Sequence, residues 1–525
     1  MIKGFRQIAS LTALSRVFGM VRDMAFAHFF GADWLMTAWT MGFKIPNLAR
    51  RLFGEGAASA SFIPVYSEQL HNNPQQARQL INTMVTVLFV ILAIIVLIGE
   101  GLIWSYYSFF ETRYGPRLGL ALCSIMLPYM IFICIVAILA GILNVHRHFA
   151  TPAAAPIVLN IFIITGILFT GWVLKIKAEQ QVFFVAVAVL IAGLAQIAIQ
   201  IPSLRAIGIS IRPAWDIHSE AFKKIIILMG PMILGLTVTQ LNTLADDLIA
   251  LCFMNKSGYP LGYGALSYLY YAQRLYQFPL GVLGISLATA IFPVMSSDAA
   301  KKDFDALSKT IARGIKAAAF VAVPATAGIF MIAKPFVSAV FEHGQFKSTD
   351  TPIVAYTLSF YAVGLCGYFS QQITTRAFYS MQDSKTPMYS AVIAVFVNIF
   401  LNLTLIWFMG TAGLALSTAI CSYLQVVILI LALRKSLPLQ GSDHPILSGF
   451  SATLLKTIVA MAIMCLVGTA IIYLMGNLPG NRIFNILRLA VIVPASAVVY
   501  LLAAKFLRIE MLSLLTGSQR EKRTA

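Results

Sequence analysis

The 525-residue chain is 59% hydrophobic and only 11% charged, with a mean hydropathy of +0.83. Charged residues make up about a quarter of a typical soluble protein, so this composition excludes a soluble globular protein and indicates an integral membrane protein. The formal net charge of +18 comes from basic residues scattered between apolar runs, a distribution that argues against nucleic acid as a partner.

Long apolar stretches, separated by polar, proline-containing or glycine-containing breaks, recur from one end of the chain to the other. A membrane-crossing helix needs about 20 residues, and about fourteen stretches are long enough. The predicted spans in chain order are 5–30, 35–66, 80–106, 118–146, 153–174, 182–203, 223–253, 264–296, 311–333, 353–379, 387–409, 412–433, 452–475 and 484–507. The predicted fold class is therefore all-α, a polytopic membrane protein. An even number of spans puts both termini on one side, and the excess of Lys and Arg there predicts that this side is the cytoplasm.

Short motifs recur within the chain and indicate a duplication. Phe62-Ile-Pro-Val is echoed about 230 residues later by Phe292-Pro-Val, and Asn160-Ile-Phe is echoed by Asn398-Ile-Phe. Because six helices return the chain to its starting side, the pattern predicts two six-helix lobes in parallel repeat around a central cavity, followed by two extra helices. The predicted divisions are an N-terminal lobe at 1–210, a C-terminal lobe at 211–440, and helices 13 and 14 with a basic cytoplasmic tail at 441–525.

The first predicted span carries charges that a lipid-facing helix would not tolerate. Ser15 and Arg22 are seven residues apart, as are Arg16 and Asp23, so each pair shares one face of a helix. A charge within the bilayer normally faces a water-filled cavity or a charged partner. These residues are therefore candidates for a binding site.

The second span presents a stripe of polar residues. Lys44, Asn47, Arg51 and Glu55 follow helical spacing, with Arg50 beside them. Ion pairs that only hold helices together, Arg22 with Asp23 and Arg51 with Glu55, are the alternative interpretation. Two carboxylates cannot balance all the cations of these two spans, so we predict an anionic ligand. The planar guanidinium group of Arg suits phosphate oxygens in particular.

The eighth span adds Arg274, which has no acidic neighbour in that span. It is predicted to complete a basic cavity, and an interfacial Arg among tyrosines is the alternative. Asp246, Asn398, Asn402 and Thr418 bring carboxylate, amide and hydroxyl oxygens to the second lobe. This donor set suits a small hard cation such as Na⁺. A proton carried by Asp246, or hydrogen bonds that only join helices, are the alternatives.

Motifs for catalysis or nucleotide binding are missing from the sequence. It contains no Walker A loop, no GxSxG, no HExxH and no Cys/His cluster. We therefore predict that the protein is not an enzyme, does not use ATP and needs no cofactor beyond a Na⁺ or H⁺ coupling ion.

Three segments resemble the signature segments of the MurJ (MviN) lipid II flippase family, which belongs to the multidrug/oligosaccharidyl-lipid/polysaccharide exporter superfamily. They are Ser15-Arg16-Val-Phe-Gly-Met-Val-Arg22-Asp23, Phe43-Lys44-Ile-Pro46-Asn47-Leu-Ala-Arg50-Arg51 and Gln273-Arg274-Leu-Tyr-Gln-Phe-Pro279. The resemblance implies a protein of the bacterial inner membrane that moves lipid II from the cytoplasmic to the periplasmic leaflet by alternating access. An exporter of another polyprenyl-linked oligosaccharide in the same superfamily is the alternative.

The resemblance also implies roles for individual residues. It implies that the pyrophosphate is bound by Arg16, Arg22, Arg51 and Arg274. It implies supporting or gating roles for Ser15, Asp23, Lys44, Asn47, Arg50 and Glu55. It also implies a Na⁺ site formed by Asp246, Asn398, Asn402, Thr418 and the backbone of Leu414. Helices 13 and 14 would form a groove for the polyprenyl tail.

At four positions this chain has a neutral residue where some members of the family have an acidic one. These are Thr37, Gln273, Gln277 and Asn402. Each departure removes negative charge, so the predicted cavity is more basic and the predicted cation site carries less charge than in those relatives.

Overall fold

A computed structural model describes residues 2–52, 58–109, 114–437, 445–476 and 481–512. Within these ranges the regular structure is helical, apart from an isolated bridge between Met254 and Leu261. The helices are α1 Ile2–Phe30, α2 Trp34–Ala49, α3 Ala58–Asn72, α4 Pro74–Phe109, α5 Tyr114–Met126, α6 Tyr129–Val145, α7 Ala150–Leu168, α8 Ala178–Ala198, α9 Ile201–Ala206, α10 Glu220–Phe253, α11 Ala265–Pro279, α12 Ile285–Ala300, α13 Phe304–Phe341, α14 Asp350–Val363, α15 Leu365–Ser380, α16 Lys385–Met409, α17 Thr411–Ser436, α18 Phe450–Leu474 and α19 Arg482–Phe506. The all-α membrane fold predicted from composition is confirmed. Lipid offers no hydrogen-bond partners to the backbone, and an α-helix pairs its own backbone donors and acceptors.

Length and apolar composition identify nine membrane-spanning helices in the described part of the chain, or up to eleven when each bent helix pair counts as one span. Three predicted spans are not among these nine to eleven candidates. They are 5–30, which corresponds to α1, 35–66, which corresponds to α2 and α3, and 223–253, which corresponds to α10. The first two contain the intramembrane cations Arg16, Arg22, Lys44, Arg50 and Arg51. The total of fourteen therefore stays a prediction.

Two stretches predicted as single spans are each bent in the middle. α5 and α6 meet at 42°, next to Pro128, and α14 and α15 meet at 41°, at Gly364. A proline removes a backbone donor and a glycine weakens the helix, so both are expected break points. At the second bend, the freed Val363 carbonyl accepts a hydrogen bond from the Tyr423 hydroxyl at 2.7 Å.

The order of elements repeats along the chain, as the predicted duplication requires. A long helix of 36 or 38 residues, α4 or α13, is followed by a bent pair and then by two more long helices. A π-helical segment also occurs at matching positions, residues 50–52 and 280–284. Insertions of this kind are frequent at functional sites. Residues 50–52 include the candidate cations Arg50 and Arg51, and residues 280–284 follow the helix of Arg274.

The chain divides into two compact units, Met1–Gln240 with Gly344–Phe346, and Leu241–His343 with Lys347–Ala525. The division falls inside α10. In the first unit α1 packs on α7 and α2 packs on α5. In the second unit α16 packs on α17, and α13 contacts both α14 and α15. The predicted boundaries at 210 and 440 stay predictions.

The two extra C-terminal helices, α18 and α19, pack against α13 of the second unit. Phe320, Met464 and Tyr500 are part of the shared apolar cluster. Polar contacts fix the register, because the Tyr500 hydroxyl donates to the Phe320 carbonyl at 2.6 Å and Asn485 Nδ2 donates to Ser338 Oγ at 2.8 Å. The addition is therefore an integral part of this unit.

Replacing Gly42 should destabilise the first unit. A Cβ at this position in α2 would lie 2.9 Å from Leu122 Cβ and 3.0 Å from Cys123 N, both on α5. Overpacking of this kind costs about 1–3 kcal/mol. We expect Gly42→Val to lower the melting temperature of the purified protein in detergent. The matched control is Gly101→Val, because a Cβ there meets no atom within 4 Å; equal melting temperatures for the two variants would contradict the packing of α2 on α5.

Candidate functional site

Arg22 on α1 is held by three side-chain hydrogen bonds. Its Nε and Nη2 donate to Asp23 Oδ1 at 3.0 and 2.7 Å, and its Nη1 donates to Asn160 Oδ1 at 2.9 Å. The Arg22 side chain is 13% exposed and the Asp23 side chain 3%. The ion pair considered as an alternative is thus present. It does not enclose Arg22, whose planar group is fixed in orientation while part of it remains accessible.

Asn160 on α7 is a site residue to which sequence reasoning assigned no role. It is 6% exposed, accepts from Arg22, and donates through Nδ2 to the Ser15 carbonyl at 3.3 Å. The available signal was an asparagine inside the apolar run Leu159-Asn160-Ile-Phe-Ile, because a buried amide needs hydrogen-bond partners. Asn160 therefore fixes α7 to the backbone and to the cation of α1.

Arg16 lies on the same helix and differs from Arg22 in its surroundings. It is exposed, and Ser15 beside it is half-buried. No hydrogen bond or ion pair links Arg16 to any other residue in the described ranges. Arg16 and Asp23 lie on one continuous helix, as their spacing predicts, and the Asp23 carboxylate pairs with Arg22.

The cations of the second span are held by amides. Arg50 donates through Nε and Nη2 to Asn47 Oδ1 at 3.2 and 3.1 Å, and Arg51 Nη1 donates to Gln240 Oε1 at 3.0 Å. Lys44 is half-buried. The predicted stripe departs from regular spacing because α2 ends at Ala49 and residues 50–52 are π-helical. Glu55, the predicted partner of Arg51, lies outside the described residues.

Arg274 on α11 of the second unit lies among aromatic residues. Its guanidinium carbon stands 4.6 Å from the centre of the Tyr270 ring, a cation–π distance. Its neighbour Gln273 donates through Nε2 to the Tyr361 hydroxyl at 3.0 Å. Arg274 is half-buried, and both predicted alternatives, a cation of a basic cavity and an interfacial Arg among tyrosines, stay open.

The residues predicted for a cation site come together in the second unit. Asn402 Nδ2 donates to Asp246 Oδ1 at 2.5 Å and to Asn398 Oδ1 at 2.6 Å. Thr418 Oγ1 donates to Asp246 Oδ2 and lies 3.1 Å from the Leu414 carbonyl oxygen. These five residues, Asp246, Asn398, Asn402, Leu414 and Thr418, are called the Asp246 cluster below. Their side chains come from α10, α16 and α17.

The Asp246 cluster contains a buried oxygen atom without a hydrogen-bond donor in the described part of the chain. Asn402 Oδ1 is buried and accepts no hydrogen bond from any described residue. Carboxylate, amide, hydroxyl and carbonyl oxygens are the ligands of a hard cation, so the donor set fits Na⁺. Asn402 differs from an aspartate in one respect. Its amide nitrogen donates to Asp246 Oδ1 and Asn398 Oδ1, whereas an aspartate at this position would present a second carboxylate oxygen. The described residues contain no group of three or more His, Cys, Asp and Glu for a transition metal.

The second unit also contains a cavity of about 720 Å³, bordered by α13, α15, α17 and α18. Its walls include Phe330, Met331, Cys366, Met461 and Cys465. Apolar walls of this kind suit a hydrocarbon chain. One of the two extra helices, α18, therefore borders an apolar space, while α19 does not contribute to its lining.

Comparisons with known proteins identify one family. The family model described as "Lipid II flippase MurJ" matches residues 26–507. A "Probable lipid II flippase MurJ" of Vibrio cholerae serotype O1 is 34% identical over 450 residues, covering 83% of each chain. A protein of the same description from Buchnera aphidicola subsp. Schizaphis graminum is 30% identical over 522 residues, covering 98% of each chain.

Solved structures agree with the sequence comparisons. "Lipid II flippase MurJ, inward closed conformation" matches with a TM-score of 0.75 and 26% identity, covering 95% of this chain and 98% of that one. An inward-facing multidrug resistance MATE family transporter of the MOP superfamily matches with a TM-score of 0.64 and 12% identity, covering 82% and 97%. At that identity the second likeness shows the shared fold alone.

Proposed function

The chain belongs to the lipid II flippase MurJ family, and on that basis we propose that it moves lipid II from the cytoplasmic to the periplasmic leaflet of the bacterial inner membrane by alternating access. It thereby serves peptidoglycan biosynthesis, and with it cell wall biogenesis and cell shape. The protein is a multi-span helical membrane protein; the cytoplasmic location of both termini is part of the proposal.

The arrangement around Arg22 carries the proposal. A guanidinium held by Asp23 and Asn160 within a membrane helix cannot swing away, and Arg16 on the same helix is exposed. Lipid II carries a pyrophosphate, and planar guanidinium groups bind phosphate oxygens through paired hydrogen bonds. Held in advance, such a group loses little entropy when the ligand binds. Arg16 and Arg22 are therefore proposed as direct pyrophosphate ligands.

Arg51 and Arg274 complete the proposed set of pyrophosphate ligands. Arg51 is held by the neutral amide of Gln240, and Arg274 stacks on Tyr270. Supporting or gating roles are proposed for Ser15, Asp23, Lys44, Asn47, Arg50 and Glu55. Among these, Asn47 orients Arg50 by two hydrogen bonds.

A coupling cation at the Asp246 cluster is a second part of the proposal. The unpartnered Asn402 Oδ1 and the Asp246 carboxylate support a Na⁺ site built from this chain's oxygens. When bound, Na⁺ would supply positive charge beside Asp246. Because Asn402 is neutral, the site has one formal negative charge and should bind Na⁺ weakly.

The polyprenyl tail is proposed to lie against α18. The 720 Å³ cavity bordered by this helix offers Phe330, Met331 and Met461 to a hydrocarbon chain. The tail already lies in hydrocarbon, so van der Waals packing against these walls, rather than removal from water, would hold it. This proposal assigns the pyrophosphate to cationic side chains and the tail to an apolar surface of the second unit.

Replacement of a bacterium's own flippase tests the function. We expect this gene to support growth and normal shape when the resident lipid II flippase is depleted, because the family relation implies the same cargo. Expression should be verified in the membrane fraction. Cells that contain the protein in the membrane but lyse on depletion would contradict the proposed cargo and favour another polyprenyl-linked oligosaccharide.

A further inference from the structure

Three buried tyrosines of the second unit lie together. Tyr276 of α11 stacks on Tyr361 of α14 with ring centroids 4.7 Å apart, and on Tyr368 of α15 at 5.4 Å. They are 8%, 1% and 7% exposed, respectively. This group, called the tyrosine stack below, joins one helix to both halves of a bent pair.

The hydroxyl groups of the stack need an explanation beyond packing. Tyr361 accepts from Gln273 Nε2 at 3.0 Å, but the Tyr368 hydroxyl has no hydrogen-bond partner among the described residues. Leaving a buried hydroxyl unpaired destabilises a fold. Phenylalanine would stack equally well without that penalty. The hydroxyls are therefore the feature that packing alone does not account for.

The stack lies between two parts of the proposed machinery. On one side, α17, which carries Leu414 and Thr418 of the Asp246 cluster, packs against both α14 and α15. On the other side, Tyr276 is two residues from Arg274 on α11, and Gln273, which binds Tyr361, is adjacent to it. Packed helices thus connect the Asp246 cluster to the helix of Arg274.

The bend between α14 and α15 gives the stack a fixed base. A Cβ on Gly364 would lie 2.6 Å from Tyr368 Cζ, so the ring rests directly on the backbone of the bend. The Ala362 carbonyl accepts from Thr326 Oγ1 at 2.8 Å and the Val363 carbonyl accepts from the Tyr423 hydroxyl at 2.7 Å. The backbone on this side of the stack is therefore held in place.

We propose that Tyr276, Tyr361 and Tyr368 are positioning residues that transmit cation binding at the Asp246 cluster to Arg274. The inference rests on the proposed function, in which Arg274 binds pyrophosphate. Hydroxyl dipoles orient in the local field, so their protons turn towards the Asp246 carboxylate and leave the Tyr361 oxygen open to Gln273. A cation beside Asp246 offsets the charge of the carboxylate, removes that preference, weakens the contact with Gln273 and releases α11.

Amide hydrogen exchange of the purified full-length protein tests this coupling without any lipid. We expect Na⁺, compared with choline at equal ionic strength, to change the exchange rate of peptides covering α11 at least twofold in the wild type. Tyr361→Phe keeps the ring stack and removes the acceptor for Gln273, and should abolish the response. Tyr473→Phe is the matched control, because Tyr473 on α18 is 87% exposed, and it should respond as the wild type does.

Lipid II affinity measured with and without Na⁺ separates this inference from the proposed function. A coupling of ordinary size changes affinity about 5- to 150-fold, and Tyr361→Phe should reduce that ratio to within about twofold of one. An α11 response that is absent in the wild type, or unchanged in Tyr361→Phe, overturns the inference. A wild type that shows the α11 response but binds no lipid II refutes the proposed function and leaves the coupling standing.

Discussion

Arg22→Lys is expected to weaken lipid II binding about 10- to 150-fold. A hydrogen bond to a charged group contributes about 1.5–3 kcal/mol, which is that range of affinity. Lysine keeps the charge but not the planar fork, so it cannot contact Asp23, Asn160 and a phosphate in one fixed orientation. The measurement is titration of the detergent-purified protein with lipid II.

Arg22→Ala is expected to weaken lipid II binding further than Arg22→Lys does. However, it also leaves the buried Asp23 carboxylate without its cation, and such a loss destabilises a protein by several kcal/mol. Arg22→Lys is therefore the more informative variant. Lys224→Ala is the matched control, because its ion pair with Glu68 is more than half exposed and contributes about 0–1 kcal/mol. If Arg22→Lys binds lipid II as tightly as Lys224→Ala does, the pyrophosphate role of Arg22 is wrong.

Asn402→Asp is expected to tighten Na⁺ binding about 10-fold or more. Asn402 is fully buried and its amide nitrogen lies 2.5 Å from Asp246 Oδ1. A second carboxylate attracts the cation, and opposite charges about 4 Å apart interact by about 4 kcal/mol near a protein surface. Isothermal titration with NaCl, against a choline background, measures the change.

The same substitution should lower the melting temperature in sodium-free buffer, because two adjacent buried carboxylates repel each other. Added Na⁺ should restore it. Asn485→Asp is the matched control, since Asn485 is also a buried asparagine but binds Ser338 on another helix; its stability should not depend on Na⁺. A Na⁺ affinity unchanged by Asn402→Asp would show that the cluster only joins helices.

Much of the fold follows from pattern alone. Apolar stretches of sufficient length must be helical in lipid, and echoes such as Asn160 and Asn398 indicated the duplication that the order of elements displays. The bends were not predicted, although Pro128 and Gly364 were visible. Proline and glycine are common in membrane helices without bending them by 40°, and the outcome depends on whether partners such as Tyr423 receive the freed carbonyls.

The candidate site was predicted in composition but not in pairing. Asp246, Asn398, Asn402 and Thr418 come together, as the family resemblance implies. Spacing alone put only Asn398 with Asn402, and Leu414 with Thr418, on shared helix faces. The partners of Arg22 and Arg51 were missed. Asn160 and Gln240 are neutral residues far away in sequence, and charge counting, which identified the cations, contains no information about neutral amides.

Translocation by the purified protein in vesicles tests the central claim most directly. Lipid II labelled on its head group with a fluorophore is placed in both leaflets, and an impermeant reductant added outside reports how much label becomes accessible. The account predicts that the wild type exposes the protected fraction and that Arg22→Lys does so much more slowly, while a labelled phospholipid stays protected. Equal rates for the wild type, Arg22→Lys and protein-free vesicles would contradict it.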